Sequence, residues 1–410
     1  MPATADPLKD IAPPPDDPGT PRNVVPSAHR QGCRERRTTL RVSRPLMPTQ
    51  DQLAPFLRQI DSARCYTNGG ALQGKLTRAL AAHFDVQADR IGLAGSGTAA
   101  IVGLLLAVAG RAGPARPLCV CPAYTFVATA CAADACGYHP YFVDVDARSW
   151  ALDPATVEAL PDFAQVGAVI VVVPYGGSID LCAWRAFVQR SGVPVVIDAA
   201  ASFDTLPPRQ IIASGLPVAI SLHATKTFST VEGGLMICAD AGVMGRAMAA
   251  LNFGFDDQHS CIVPGVNGKI SEYHAAIGLA DLAAWPQKRA AFLLTAAIYT
   301  MLAAQCRISG QIRVNTAAAV PYALLVARSR DEADRVAMAL AAQRVETRRW
   351  YGDGLHTHPA YRSYRRTALP TTEMIAGRVL GLPFSVDLPA RDVEGIIRGI
   401  ARTLGDSTTG

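Results

Sequence analysis

Residues 218–234 read VAISLHATKTFSTVEGG, and this stretch decides how the chain folds. Its mostly apolar beginning predicts a buried strand over 218–222. Small polar residues follow, and Lys226 stands among them shortly before Gly233 and Gly234. A surface charge in solvent explains a lysine at this place poorly. An amine held at the end of a buried strand is instead suited to attack a carbonyl group, which is the use that pyridoxal phosphate (PLP) enzymes make of a lysine.

Composition sets the limits of what the chain can be. At 410 residues it is long for one domain, so two lobes are expected, and its 50% hydrophobic residues predict a large core. The net charge of +5 is small for this length, and the sequence shows no basic face with interleaved aromatic residues. Nucleic-acid binding is therefore not expected.

The ten cysteines include no CxxC pair and no Cys/His spacing suited to zinc, so no metal site is predicted. We expect reduced cysteines that act as small core residues, which favours a cytoplasmic protein. Glycines interrupt the uncharged stretch 91–110, which we interpret as a strand, a turn and a buried helix rather than a membrane span. We expect a soluble chain that does not bind membranes.

The chain divides into three parts by its pattern. Residues 1–44 are rich in Pro, Asp, Arg and Thr without apolar periodicity, which predicts a disordered extension. Residues 45–286 alternate buried strands with helices, which predicts an α/β domain with a mostly parallel sheet covered on both faces. Residues 287–410 predict a smaller α+β domain.

The predicted elements follow the apolar runs. The predicted strands are 117–121, 138–145, 166–173, 193–197, 218–222, 235–238, 322–327 and 345–350. The predicted helices include 98–108, 183–189, 287–304, 331–343 and 391–403.

Asp198 follows a buried strand directly, so it should lie at the carboxyl edge of the sheet, where ligands of such sheets bind. PLP withdraws electrons well when its pyridine nitrogen stays protonated, and an ionised carboxylate beside that nitrogen ensures this. One strand–loop–strand excursion separates Asp198 from Lys226. Both side chains can therefore face the same crevice, although a turn or capping role would also explain an aspartate here.

The segment GSGTAA at residues 95–100 opens a predicted helix and can bind a phosphate. The free N–H groups of the first turn and the helix dipole favour an anion, and the Thr98 hydroxyl can add a hydrogen bond. The segment also resembles a dinucleotide fingerprint, which needs an acidic residue about 20 positions later. No acidic residue lies between Asp89 and Asp134, so the dinucleotide interpretation is rejected.

Two further side chains are placed to contact a cofactor. Phe126 follows the predicted strand 117–121, where an aromatic ring can stack on a flat heterocycle, although a core position would explain it too. Ser221 lies near the end of the strand that leads to Lys226 and can reach a phosphate. His223 is explained equally well by a site position and by a core position.

Together these motifs resemble the DegT/DnrJ/EryC1/StrS family, a branch of the fold-type I PLP enzymes composed mostly of sugar aminotransferases. The resemblance runs from about residue 63 to 400 and is most specific in SLHATK (221–226) with EGG (232–234) and in GVNGKISEYHAA (265–276). The other matching motifs are YTNGG (66–70), GSGTAA (95–100), PAYTFVAT (122–129), FVDVD (142–146), PYGG (174–177) and IDAAAS (197–202). The resemblance implies a sheet of the family's seven-stranded type in the large domain.

The resemblance also implies a role for each site residue. Lys226 would hold the cofactor as a Schiff base and move the proton, and Asp198 would pair with the pyridine nitrogen. Phe126 would stack on the ring. The phosphate would be held by residues near one helix start and one strand end, namely Gly97, Thr98, Ala99 and Ser221. Asn267 would reach the phosphate of the neighbouring subunit in a homodimer, although a turn residue would look the same in sequence.

One position departs from the family pattern. The family usually has glutamine three residues after the aspartate, where it contacts the ring hydroxyl, and this chain has Ala201 there. That contact is missing or supplied elsewhere. Related sugar dehydratases replace the lysine by histidine, and because Lys226 is present here, the chain does not match that branch.

The resemblance implies an aminotransferase that takes the amino group from glutamate, or less often glutamine, and gives it to a keto sugar, most often nucleotide-linked. One alternative keeps the family but changes the reaction: a non-sugar ketone such as a cyclitol or antibiotic intermediate as acceptor, or PLP-dependent lyase or dehydratase chemistry. Another is a non-catalytic regulator.

The sequence does not define which residues contact the acceptor. The candidates are equally well explained by packing or by surface exposure, and they are Tyr175, residues 252–255, Trp350, Tyr351, His356 and His358.

Overall fold

The computed structural model describes residues 39–256 and 258–405, apart from the side chain of Pro208. The predicted extension therefore lies largely outside the described residues. Within it, the described segment 39–44 packs on the C-terminal part of the chain: Leu40 N–H donates to the carbonyl of Arg344 at 2.9 Å.

The large sheet has seven strands, and their order fixes where the site can be. The strands are β1 Ile91–Ala94, β2 Leu118–Pro122, β3 His139–Val143, β4 Val166–Val172, β5 Val195–Asp198, β6 Val218–Ser221 and β7 Gly234–Ile237. Their order is β1-β7-β6-β5-β4-β2-β3, with β7 antiparallel to both neighbours and the other pairs parallel. The carboxyl ends of five adjacent parallel strands therefore meet at one edge of the sheet.

Helices cover the sheet on both faces. In the first part of the chain they are α1 Gln50–Ala63, α2 Ala71–Phe84, α3 Gly97–Val108, α4 Ala128–Ala135, α5 Pro154–Glu158, α6 Leu181–Ser191, α7 Pro208–Ser214, α8 Ala241–Leu251 and α9 Glu272–Ala283. Val169 and Val171 of β4 belong to one hydrophobic cluster, whereas Ala168 and Ile170 belong to another. Because successive strand residues point to opposite faces, these clusters are the two layers that the sequence pattern predicted.

The remaining chain forms a small sheet with helices. It contains α10 Trp285–Gln305, β8 Ile312–Arg313, β9 Ala323–Val326, α11 Arg330–Ala342, α12 Pro370–Arg378, β10 Val379–Leu382 and α13 Ala390–Gly405. The strand order is β10-β9-β8, and both pairs are antiparallel. The architecture is an α/β fold with a mostly parallel central sheet, as predicted.

Most predicted elements are present with ends shifted by one or two residues, and one is wrong. Residues 345–350 do not form a strand. Val345 and Arg348 make only isolated bridges, to Leu40 and Gly381 respectively. The two large apolar side chains of this segment pack separately: Val345 lies in the main hydrophobic core, and Trp350 packs against Tyr322. Within the described chain, no helix is both long enough and apolar enough to cross a membrane.

A buried ion pair fixes the turn that carries Lys226. Asp281 on α9 accepts hydrogen bonds from Lys288 Nζ at 2.8 and 2.9 Å and from the Ser229 backbone N–H at 2.9 Å. The side chains of Lys288 and Asp281 are only 8% and 3% exposed. Because Ser229 lies three residues after Lys226, the Asp281 carboxylate anchors the turn that carries Lys226 to helix α9.

We expect Asp281→Ala to destabilise the protein by about 3–5 kcal/mol, since it leaves the Lys288 ammonium buried without its partner. The midpoint of thermal unfolding measures this effect. Arg209→Ala is the control, because it removes an ion pair with Asp85 whose side chains are 86% and 73% exposed. Equal midpoints for the two variants would show that the buried pair does not stabilise the fold.

Candidate active site

One cavity of about 350 Å³ opens at the carboxyl edge of the large sheet. Segments that follow different strands meet in its wall, because parallel strands present their ends at a common edge. Of the residues proposed from sequence, it is lined by Gly97, Thr98, Phe126, Asp198, Ser221 and Lys226.

Asp198 ends β5 and is 5% exposed. Its carboxylate accepts hydrogen bonds from the Thr129 hydroxyl at 2.9 Å and from the Ala200 N–H at 3.2 Å. Burial raises the pKa of Asp198, while the Thr129 hydrogen bond and the charge of Lys226 act in the opposite direction. The carboxylate is therefore a desolvated anion at a cavity wall that would gain from a further positive partner.

The first turn of α3 forms another part of the wall. Ser96 caps this helix by accepting the Ala99 N–H at 3.0 Å. Gly97 lies against Ser221, so close that a methyl group on Gly97 would come within 2.8 Å of Ser221 Cβ. A helix N-terminus and a serine hydroxyl are thus adjacent at the cavity, which suits an anion. Ala99 is in the same turn but does not line the cavity.

Lys226 lies in the turn after β6, five residues beyond Ser221. Its N–H donates to the His223 carbonyl at 2.9 Å, which holds the turn. Its Nζ donates to the Tyr322 hydroxyl at 3.2 Å. Lys226, predicted at a strand end, thus lies in a turn. Tyr322, from the second part of the chain, positions its amine.

Phe126 is 58% exposed although it is a large apolar residue. Ala201 lies on the cavity wall and is buried. His223 also lines the cavity, where its Nδ1 contacts the Thr225 hydroxyl at 2.9 Å and its Nε2 lies 3.6 Å from Glu232.

An aromatic cluster borders the cavity on the side of the small sheet. Tyr175 stacks on Tyr351 with ring centroids 4.7 Å apart and meets Tyr322 edge-on at 5.2 Å. Trp350 and Tyr351 line the cavity, and the Arg348 guanidinium lies 4.7 Å from the Trp350 ring. Trp350 and Tyr351 are thus brought to the site.

Other sequence candidates lie apart from this cavity. Asn267 is exposed and does not line it, and its backbone pairs with Asn252. His356 and His358 likewise are not part of its lining. Burial lowers the pKa of His356, and its Nε2 lies 3.8 Å from Glu373.

Several residues at or around the site were not found from sequence. Thr129 lies three residues after Phe126 in the same motif, so a helix-start hydroxyl there was a usable signal. Tyr322, Arg348 and Asp281 carry no local signal, because only the tertiary fold brings them to Asp198 and Lys226.

The family model of the DegT/DnrJ/EryC1/StrS aminotransferases matches residues 49–401. The chain therefore belongs to this family and is a PLP-dependent aminotransferase, as the sequence motifs predicted.

The chain is also similar to the following two relatives and one solved structure. Protein Rv3402c from Mycobacterium tuberculosis is 29% identical over 370 residues, which cover 87% of this chain and 88% of that protein. The dTDP-4-amino-4,6-dideoxy-D-glucose transaminase of Shigella dysenteriae is 32% identical over 243 residues, covering 59% and 64%. DesI, solved in the presence of its TDP-sugar product, superposes with a TM-score of 0.78 at 27% identity, covering 91% and 95%.

We expect Asp198→Asn to stabilise the cofactor-free protein while it weakens cofactor binding. The amide can keep both hydrogen bonds, to Thr129 and to the Ala200 N–H, but it carries no buried charge. Because burial raises the pKa of Asp198, the wild-type protein loses stability as the pH rises from the ordinary aspartate range through the raised value. The difference in thermal midpoint between Asp198→Asn and the wild type should increase over the same pH range and reach roughly 2–4 °C.

Thermal unfolding at acidic and alkaline pH measures the first effect, and titration with PLP measures the second. Asp153→Asn is the control, since Asp153 is an exposed helix cap that accepts the Thr156 N–H at 2.9 Å. A variant at Asp198 that is less stable at alkaline pH, or that binds the cofactor as tightly as wild type, would contradict the assignment of this carboxylate.

Proposed function

We propose that this enzyme transfers an amino group from glutamate to a keto sugar carried on a nucleotide. The observation that supports it most is that a buried aspartate, a helix N-terminus with a serine and a lysine amine line one cavity of about 350 Å³. Relatives named as acting on dTDP- and TDP-sugars support the acceptor class. Glutamine is the second candidate donor.

The cavity residues fit PLP in their chemistry. PLP has a pyridine nitrogen on its ring, a phosphate on a side arm and flat apolar faces. Asp198 supplies a buried carboxylate for a protonated ring nitrogen, and the first turn of α3 with Ser221 suits the phosphate. Phe126 offers an exposed ring for stacking. Gly97 allows the close approach of the helix to the strand, and Thr98 adds a hydroxyl.

Lys226 has two tasks in the proposed reaction. When bound, PLP supplies a carbonyl for amines and a ring that withdraws electrons from the substrate carbon. Lys226 would hold the cofactor through its Nζ, and the same amine would accept and return the proton of the substrate carbon. The Tyr322 hydroxyl, 3.2 Å away, orients that amine. The Asp198 carboxylate would keep the ring nitrogen protonated.

Ala201 leaves one partner of the cofactor undefined. Its methyl group cannot donate the hydrogen bond that glutamine would give at this place. Thr125 and Tyr322 are polar side chains that line the same cavity, and their hydroxyl groups, which contact Thr129 and Lys226, are the candidates to contact a ring hydroxyl.

Asn267 supports a homodimer with shared sites. It does not line the cavity of its own chain but lies among exposed apolar side chains. Phe253 and Ile262 in the adjoining loop are 47% and 58% exposed, and the Phe253 N–H donates to the Val266 carbonyl beside Asn267. Exposed apolar surface of this kind is typically covered by a protein partner. We propose that a second copy covers it and receives Asn267.

We expect Lys226→Ala to abolish amino transfer, with about 10²–10⁴-fold attributable to the lost proton transfer alone. In the wild type, borohydride reduction should leave the mass of the cofactor on the peptide that carries Lys226. Glutamate should give 2-oxoglutarate, and a nucleotide keto sugar should gain an amine by mass spectrometry. Lys75→Ala is the control, because Lys75 contacts Gln59 at an exposed site. Wild-type protein that gives no amine with any nucleotide keto sugar would refute the acceptor class.

Mixed dimers test the role of Asn267. Asn267→Ala alone should weaken cofactor binding on the order of tenfold. Mixing it with Lys226→Ala should restore activity, because one site of the mixed dimer then has an intact lysine and an intact partner asparagine. Mixing Lys226→Ala with Asp198→Asn should restore none, since both residues belong to the same subunit's site. Activity of the first mixture no higher than that of its separate components would exclude a shared site.

A further inference from the structure

A second cavity of about 480 Å³ lies beside the catalytic one. Tyr322 lines both cavities, and its hydroxyl contacts Lys226. The second cavity is formed by loops of the large sheet at 148–150 and 174–178 and by residues 313–324 of the small sheet. Ligands bind preferentially in such clefts between structural units.

Two arginines give this side cavity a positive character. Arg148 and Arg313 line it, and no carboxylate side chain of the described residues does so. The Asp146 carboxylate lies near Arg148, whose N–H donates to it at 3.0 Å. Arg313 has no ion-pair partner within the described part of the chain, and partial desolvation lowers its pKa. A guanidinium in this setting would gain from an anion.

An aromatic ring stacks against the Arg313 guanidinium. The Arg313 guanidinium lies 4.1 Å from the centre of the buried Trp150 ring. Such stacking leaves the donor edge of the guanidinium free for a bidentate contact. Trp150 and Tyr175, which both line the cavity, have positive φ angles of 60° and 54°. Side chains of this size are rarely found in that conformation, and such strain concentrates at binding sites.

We propose that this side cavity binds the phosphate groups of the acceptor, with Arg313 as the principal contact and Arg148 as the second. The proposal rests on the proposed function, because it assumes an acceptor that is phosphorylated or nucleotide-linked. The sugar carbonyl then lies at Lys226, and the phosphates lie beyond the Tyr322 ring.

The arrangement favours a phosphate over the carboxylate of the amino donor. Arg348 lines the catalytic cavity itself and can receive a donor carboxylate there. Arg313 lies in the neighbouring cavity, across Tyr322, and two guanidinium groups there match the charges of a diphosphate. Donor and acceptor would thus use different arginines.

The test measures binding of inorganic pyrophosphate, UDP and dTDP to the cofactor-loaded enzyme by calorimetry. Arg313→Gln should weaken the binding of each probe on the order of 10- to 100-fold. Arg313→Lys should weaken it less, because the positive charge is kept. Arg209→Gln is the matched control at an exposed site away from both cavities. Unchanged thermal midpoints and cofactor content show that the variants are folded.

The two half-reactions distinguish the possible sources of the anion. Arg313→Gln should raise the KM for a nucleotide keto sugar and leave the KM for glutamate unchanged. Three results would overturn the proposal: a KM that rises for glutamate alone, unchanged binding of all three probes in Arg313→Gln, or no probe binding by the wild type. If the wild type binds the probes through Arg313 but aminates no keto sugar, the phosphate site stands and the proposed function fails.

Discussion

The buried carboxylate of Asp198 is the constraint on which the rest of the site depends. A charge with 5% exposure is costly, and its hydrogen bonds from Thr129 and the Ala200 N–H offset only part of that cost. The charge of Lys226 also favours the carboxylate, and a further positive group on the cavity side would stabilise it more. The parallel order of β4, β5 and β6 serves this purpose, because it places the ends of these strands and the Lys226 turn around one opening.

Helix α9 connects the catalytic turn with the surface proposed to meet a second subunit. Near its end, Asp281 holds the Ser229 N–H of the Lys226 turn. At its start, the buried Glu272 accepts the N–H groups of Leu72 and Gln73, which begin α2. Asn267 lies five residues before this start. Helix α9 thus fixes the turn that carries the lysine, and the segment with Asn267 leads into the start of the same helix.

The part of the site that sequence could predict is the part that follows strands of the large sheet. Asp198, Ser221 and Phe126 each follow or end an apolar run, and the end of such a run can be located from the sequence. Arg313 ends β8 and Tyr322 directly precedes β9. The apolar run at 322–327 predicts a strand there but not its approach to Lys226, which depends on how the two sheets pack. The absence of a strand at 345–350 has a related origin, because Val345 and Arg348 make only isolated bridges, to Leu40 and Gly381, which the local sequence does not reveal.

The same distinction explains why the acceptor is harder to infer than the cofactor. Groups that face the cofactor form a fixed set of charges on one sheet edge, whereas the proposed acceptor surface combines loops of the large sheet with Arg313 and Tyr322. The loops and Arg313 can change without moving Asp198, whereas Tyr322 also contacts the Lys226 amine. Ala201 fits this view: it lies on the wall of the catalytic cavity, yet its presence in place of glutamine leaves the buried carboxylate and the helix N-terminus in place. Enzymes that share the same cofactor site can therefore differ in the acceptor they bind, through side chains such as Arg313.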